Sequence, residues 1–281
     1  MQAAVRLPVL VVAVLAVTGC AATGGNIVAP RQSTPASPSV ASVAPTPSPT
    51  PKNSADEESS QAGTCLDWRT SVREVPCDRP HNFEVMLSKQ VDQRRKPSER
   101  SMSRTCRSAL TTFLGSADVA ASRLEATHLD ARKGKDGKWR FPCLVGELGP
   151  KGDAVRRTGT LAGALANGLG VFQRCLVGEP LEHDPLRVVP CTQPHHSEAI
   201  PGVMPIEEFP AGEKGLRQVA LRAGVYCEKT VAAYLGGTRR GADSSGVTPT
   251  REAWLDGMTD AVCFVVSKTP VKGVMKSTGR P

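Results

Sequence analysis

The chain has few aromatic residues. Phe, Trp and Tyr together make up 4% of it, so its cores must be small and aliphatic. It contains no C-x-x-C, which argues against a zinc ribbon or a thioredoxin-type redox site. It also lacks G-x-S-x-G, H-E-x-x-H, a P-loop and a dinucleotide fingerprint, so no familiar catalytic motif is written locally. Its one long apolar run, residues 7–17, is too short for an ordinary membrane span. Negative charge is in deficit, with a net charge of +8.

What is present begins with export. Arg6 precedes the apolar run, which ends in Leu15-Ala16-Val17-Thr18-Gly19-Cys20. This pattern predicts a lipoprotein signal peptide over residues 1–19, with Cys20 as the lipid anchor after cleavage. Acyl chains on that cysteine would hold the protein to the outer face of the cytoplasmic membrane. Residues 20–63 carry Pro30, Pro35, Pro38, Pro45, Pro47, Pro49 and Pro51 among Ser, Thr, Ala and Val. Such a stretch cannot bury enough apolar surface to offset its ordering entropy, so it reads as a disordered tether.

The folded part is written twice. The frame V-P-C-x-x-P-H-x-x-E occupies residues 75–84 and again 189–198. With Cys20 set aside, eight of the nine cysteines remain, an even number in an exported chain, which favours disulfides. They fall into two quartets: Cys65, Cys77, Cys106, Cys143 and Cys175, Cys191, Cys227, Cys263. Cys106 opens a turn-spaced stripe through Leu110 and Phe113 to Leu114-Gly115, and Cys227 opens its counterpart through Val231 and Tyr234 to Leu235-Gly236. Each stripe predicts a helix closed by a C-cap glycine. Met102 extends the first stripe upstream; Leu216, Val219 and Ala223 extend the second.

The resulting expectation is an α+β fold of two tandem disulfide-stapled repeats, over 64–165 and 170–277. Each would hold a small, mostly antiparallel sheet and one helix. A last strand is expected at 158–161 in the first copy and at 271–275 in the second. Eight cysteines allow many pairings, and spacing alone selects none. If each repeat folds as a unit, pairing stays within its quartet, and first–second with third–fourth is the favoured set: Cys65–Cys77, Cys106–Cys143, Cys175–Cys191 and Cys227–Cys263.

The repeated His81 and Glu84, with His195 and Glu198, are the candidate functional residues. A turn histidine more often satisfies buried backbone groups than performs chemistry, and no partner shares its spacing. The His195-His196 pair is a weak metal hint, but Asn82 replaces the second histidine in the first copy; neither a metal nor a cofactor is expected. His128 and His183 sit in polar connections and read as solvated. Trp68, Trp139 and Trp254 read as core anchors. The basic clusters at 94–96, 132–135 and 239–240 suit solvated loops, or contact with anionic lipid or wall polymer. Nucleic acid is not an expected partner of an exported chain.

The two quartets, each with its V-P-C-x-x-P-H-x-x-E frame, resemble the septum formation-related domain family of actinobacterial envelope proteins. The resemblance covers most of residues 63–277 and implies an extracytoplasmic module linked to cell division, with no catalytic residues to carry over. The combined expectation is a non-enzymatic lipoprotein. It would be held to the membrane through Cys20 and would present binding or structural modules to an envelope protein or wall polymer. The rival is an envelope hydrolase using the repeated His/Glu pairs.

Overall fold

A computed structural model describes residues 61–180, 187–237 and 241–276. The signal peptide read over 1–19, the anchor Cys20, nearly all of the tether, His183 and the basic pair at 239–240 lie outside the described residues. The two repeats fall within one compact unit and form the α+β fold expected, as two disulfide-stapled halves.

In the first half, β1 (Cys65–Trp68) and β2 (Val72–Val75) make a hairpin. Then follow β3 (Phe83–Val91), α1 (Glu99–Leu114), β4 (Leu124–His128), β5 (Arg132–Lys133) and β6 (Trp139–Glu147). The antiparallel sheet runs β2-β1-β3-β6-β4, with β5 also on β6. In the second half, β7 (Cys175–Leu176), β8 (Val188–Val189), β9 (His195–Ala199) and β10 (Met204–Pro205) precede α2 (Gly212–Leu235). They are followed by β11 (Ala242–Val247), the short α3 (Arg251–Leu255) and β12 (Asp260–Val271). The sheet order is β10-β12-β9-β7-β8, with β11 on β12.

Local chemistry accounts for these elements. Ser98 caps α1 by accepting from the Ser101 N–H at 3.3 Å, and Gly115 ends it at φ 75°. Gly236 ends α2 at φ 73°; only glycine takes that left-handed conformation without cost. Met102, Cys106, Leu110 and Leu114 form the buried stripe of α1, and Val219, Ala223, Cys227 and Val231 that of α2. Leu216 does not belong to it, being 45% exposed. The single strand β3 becomes two short ones, β9 and β10, because Pro201-Gly202 interrupts the second copy and proline has no N–H for the ladder.

Within each quartet the first cysteine bonds the second and the third bonds the fourth: Cys65–Cys77, Cys106–Cys143, Cys175–Cys191 and Cys227–Cys263. One bond of each pair closes the opening hairpin, and the other ties the helix to the long strand beneath it.

Two expectations change. Residues 158–161 form no strand, and of 271–275 only Val271, the last residue of β12, is in the ladder, so no separate last strand forms in either half. The halves also do not stand apart. One buried cluster holds Met102, Phe141 and Leu165 together with Leu176, Phe264 and Val266 of the second half. Polar bonds seal this junction. The Asp118 carboxylate accepts from the Gly202 N–H at 2.7 Å, and Arg174 pairs with Glu125 at 2.7 Å. Among the described residues, no helix is long and apolar enough to cross a membrane.

Candidate functional site

The repeated phrase makes the same construction in both halves. Pro76 and Pro190 end a strand, and the chain turns through Arg79 N–H to Pro76 C=O and Gln193 N–H to Pro190 C=O, each 2.9 Å. The turn delivers His81 and His195 into the interior, 1% and 0% exposed. Each ring places Nδ1 on the carbonyl two residues earlier, Arg79 and Gln193, at 2.8 Å. A carbonyl only accepts, so Nδ1 carries the proton. Nε2 of both rings is buried with no hydrogen-bond partner among the described residues.

The histidine backbone then receives a returning segment. His81 exchanges both bonds with Arg157, at 2.9 and 2.8 Å, and His195 pairs with Val271. Two residues on, Gly159 and Gly273 donate to the carbonyls of Cys77 and Cys191, at 2.6 and 2.7 Å. Both glycines sit in the left-handed region, at φ 82° and 81°, which turns the chain sharply inward. The next inward N–H lands on the repeated glutamate. Leu161 N–H donates to Glu84 Oε2 at 2.5 Å and Met275 N–H to Glu198 Oε2 at 2.6 Å, each across 77 residues. The segments expected as strands are therefore straps. They are pinned by a histidine backbone, a cysteine carbonyl and a buried carboxylate.

The halves fill the other glutamate oxygen differently. Thr160 Oγ1 donates to Glu84 Oε1 at 2.6 Å. Glu198 Oε1 accepts from Gln173 Nε2 at 2.7 Å and from the Tyr234 hydroxyl. Phe113, which occupies Tyr234's place in the first helix stripe, has no hydroxyl to offer. The sequence points to Tyr234 only as a stripe residue and to Thr160 only as part of a strand; Gln173 and the strap amides it does not single out. The glycine of each strap, in R-T-G-T-L at 157–161 and V-K-G-V-M at 271–275, is the signal that points to them.

Burial pushes the Glu198 carboxyl up from its ordinary range, against the hydrogen bonds from Tyr234 and Met275, the nearby His195 and the bond from Gln173. Burial also pushes the Tyr234 phenol up, and its bond to Glu198 adds to the rise. A raised folded-state pKa means that the folded protein binds this proton more readily than the unfolded chain. The associated stability is complete below the ordinary carboxylate value and is lost as pH rises through the folded one. Asp260, pushed up by burial and then by Asp118, has the same sign, so an isosteric variant must isolate the effect. The melting temperature is expected to fall as pH rises above the ordinary carboxylate range, and to fall less in Glu198→Gln. Superimposable pH profiles would count against this assignment.

Cys175, His195 and Glu198 bring potential metal-ligand atoms within 4.8 Å of one another. The donor set does not suit a metal. The Cys175 sulfur is bonded to Cys191 and has no thiolate charge, while Glu198 already accepts three donors. His196 lies apart from a metal role, accepting through Nδ1 from the Gly178 N–H at 3.3 Å. His128 is not simply solvated: its Nε2 faces Glu99 at 3.3 Å and Ser103 Oγ at 3.4 Å. Trp254 is an anchor, donating to the Ile206 carbonyl at 3.0 Å. Trp68 is not a core anchor, being 39% exposed.

The family model for septum formation matches residues 62–263, across both halves. No curated protein and no solved structure matches the chain.

Proposed function

This chain belongs to the septum formation family, and from that membership we propose that it is a non-enzymatic lipoprotein of the cell envelope. It binds an envelope protein or wall polymer during growth or septum formation. The observation that supports this reading is the fate of the repeated His/Glu pairs. His81, Glu84, His195 and Glu198 are at most 1% exposed; the imidazole Nδ1 atoms hold the turns and the carboxylates hold the straps. A general acid or base must reach the proton it transfers, and these groups face the interior. Cys20 supplies the anchor, residues 20–63 the reach, and the fused halves the rigid head.

The test is complementation of a deletion strain, scored by cell length and septum frequency. A His81→Gln/His195→Gln double variant that retains its four disulfides is expected to restore wild-type values. Cys20→Ala, which releases the head from the membrane, is expected not to. Loss of rescue by the histidine variant with its fold intact would favour the hydrolase alternative and overturn the proposal.

A further inference from the structure

The two halves treat one sheet face differently. In the second half, alternate residues of β12 go to opposite sides. Cys263 and Val265 pack with Cys227 and Val231 of α2, while Phe264 and Val266 enter the cluster shared with the first half. In the first half, Cys143 and Val145 of β6 share a cluster with Cys106 of α1, whereas Leu144 joins Leu66 and Val85, with Phe83 packed against them. On that second face an open cleft of about 460 Å³ is lined by Trp68, Phe83, Arg69, Gly146, Glu125 and Glu147, among others. Its size lies within the range of small-ligand pockets.

The cleft is built, and built once. Trp68 and Phe83 form a tilted aromatic pair with centroids 5.7 Å apart. The Asn82 side chain fixes the Trp68 backbone by accepting its N–H at 2.7 Å and donating to its C=O at 2.8 Å. A Cβ at Gly146 would lie 2.8 Å from two Phe83 ring carbons and 2.9 Å from the Asn82 carbonyl, so glycine there is what lets the ring approach β6 this closely. Counted from the equivalent cysteines and histidine, the second half has Gly178 for Trp68, Ser197 for Phe83 and Val266 for Gly146. There Ser197 Oγ donates to the Gly178 carbonyl at 2.7 Å, closing the gap where the first half keeps its aromatic pair. The cleft is thus a property of one half and not a by-product of the fold.

We propose that this cleft binds a neutral saccharide ring, which names the ligand class for the envelope-binding function above and rests on it. Both acids of the cleft are already charge-matched: Glu147 by Arg123 at 2.5 Å, and Glu125 by Arg174 at 2.7 Å and Arg107 at 3.5 Å. A cationic ligand would therefore meet no net attraction. Arg69 is held by Asp67 at 2.9 Å, a carboxylate that Arg156 also reaches at 3.3 Å, so its guanidinium is already engaged and is not a free site built for an anion. What remains is an exposed indole face for the apolar side of a ring. Around it stand carboxylates with lone pairs to accept hydroxyls and a guanidinium with N–H groups to donate.

Full-length lipidated protein in detergent, titrated with chitotetraose, cellotetraose and maltotetraose and followed by isothermal titration calorimetry, tests this. At least one of these neutral sugars is expected to bind saturably. Trp68→Ala is expected to weaken it by about tenfold or more with the melting temperature unchanged, and Trp68→Tyr to keep most of the affinity. No saturable binding of any of the three, or equal binding by Trp68→Ala, overturns the assignment. A photo-crosslinking residue placed at position 68 in membranes separates the two readings. Capture of a protein there overturns the saccharide assignment and leaves the wider binding function standing. Capture of nothing, with no sugar bound, overturns both.

Discussion

Glu198→Ala is expected to destabilise the protein by about 4 kcal/mol, because it removes a fully buried acceptor shared by three donors. Met275 N–H and the Tyr234 hydroxyl lose their acceptor, and Gln173 keeps only the Ala199 carbonyl at 2.8 Å and its contact with Tyr234. Glu198→Gln preserves the shape and one acceptor oxygen but sets an amide N–H₂ against a donor, so about half that loss is expected. Glu84→Ala is expected to cost less than Glu198→Ala. Its partner Thr160 is exposed and can turn to water, while Leu161 N–H alone is stranded. Urea denaturation of the three variants checks the ranking, and amide exchange at Met275 checks the mechanism. If Met275 remains protected in Glu198→Ala, the carboxylate does not hold the strap.

Removing the Cys227–Cys263 bond by double alanine substitution is expected to cost about 4 kcal/mol on the chain-entropy account, against about 3 kcal/mol for Cys175–Cys191. The first bond closes a separation of 36 residues and the second one of 16. Packing widens the gap, because Cys227 and Cys263 are both 0% exposed in the α2 cluster, while Cys191 at 9% lies nearer the surface. Because one buried cluster spans both halves, loss of the bond should lower the stability of the whole unit in one cooperative transition. Two separate transitions, or a larger cost for the hairpin bond, would contradict this view of the core.

These expectations bear on function through rigidity. Glu198 and Glu84 tie the chain's returning segments over the hairpins that carry Cys175 and Cys65, and β1 carries Trp68 at its end. The exposed aromatic face is therefore mounted on an element closed by a disulfide and fixed by Asn82, the kind of support a binding surface needs.

Much of this architecture was legible in the sequence because its causes are local. The stripes ending at Gly115 and Gly236 predict the two helices, since a left-handed residue is a common helix ending and glycine pays no steric cost there. The duplicated Val-Pro and the two cysteine quartets predict two stapled, mostly antiparallel sheets. The place of the repeated histidines in a turn favoured a backbone-satisfying role, and both rings contact a backbone carbonyl through Nδ1. The sequence offers 158–161 and 271–275 as last strands of the two copies. What decides their fate is a carboxylate 77 residues away, and periodicity cannot see a partner at that distance. The fusion of the halves was likewise invisible, since Phe264 and Val266 fit any strand and only tertiary packing chooses which face is covered. Trp68 was read as a core anchor for the same reason: exposure belongs to the assembled sheet. Sequence determined the elements and their staples, because turns, caps and loop closure are set by neighbouring residues. Tertiary structure alone decided the straps, the shared core and the open cleft, because burial and long-range hydrogen bonds exist only once distant segments meet.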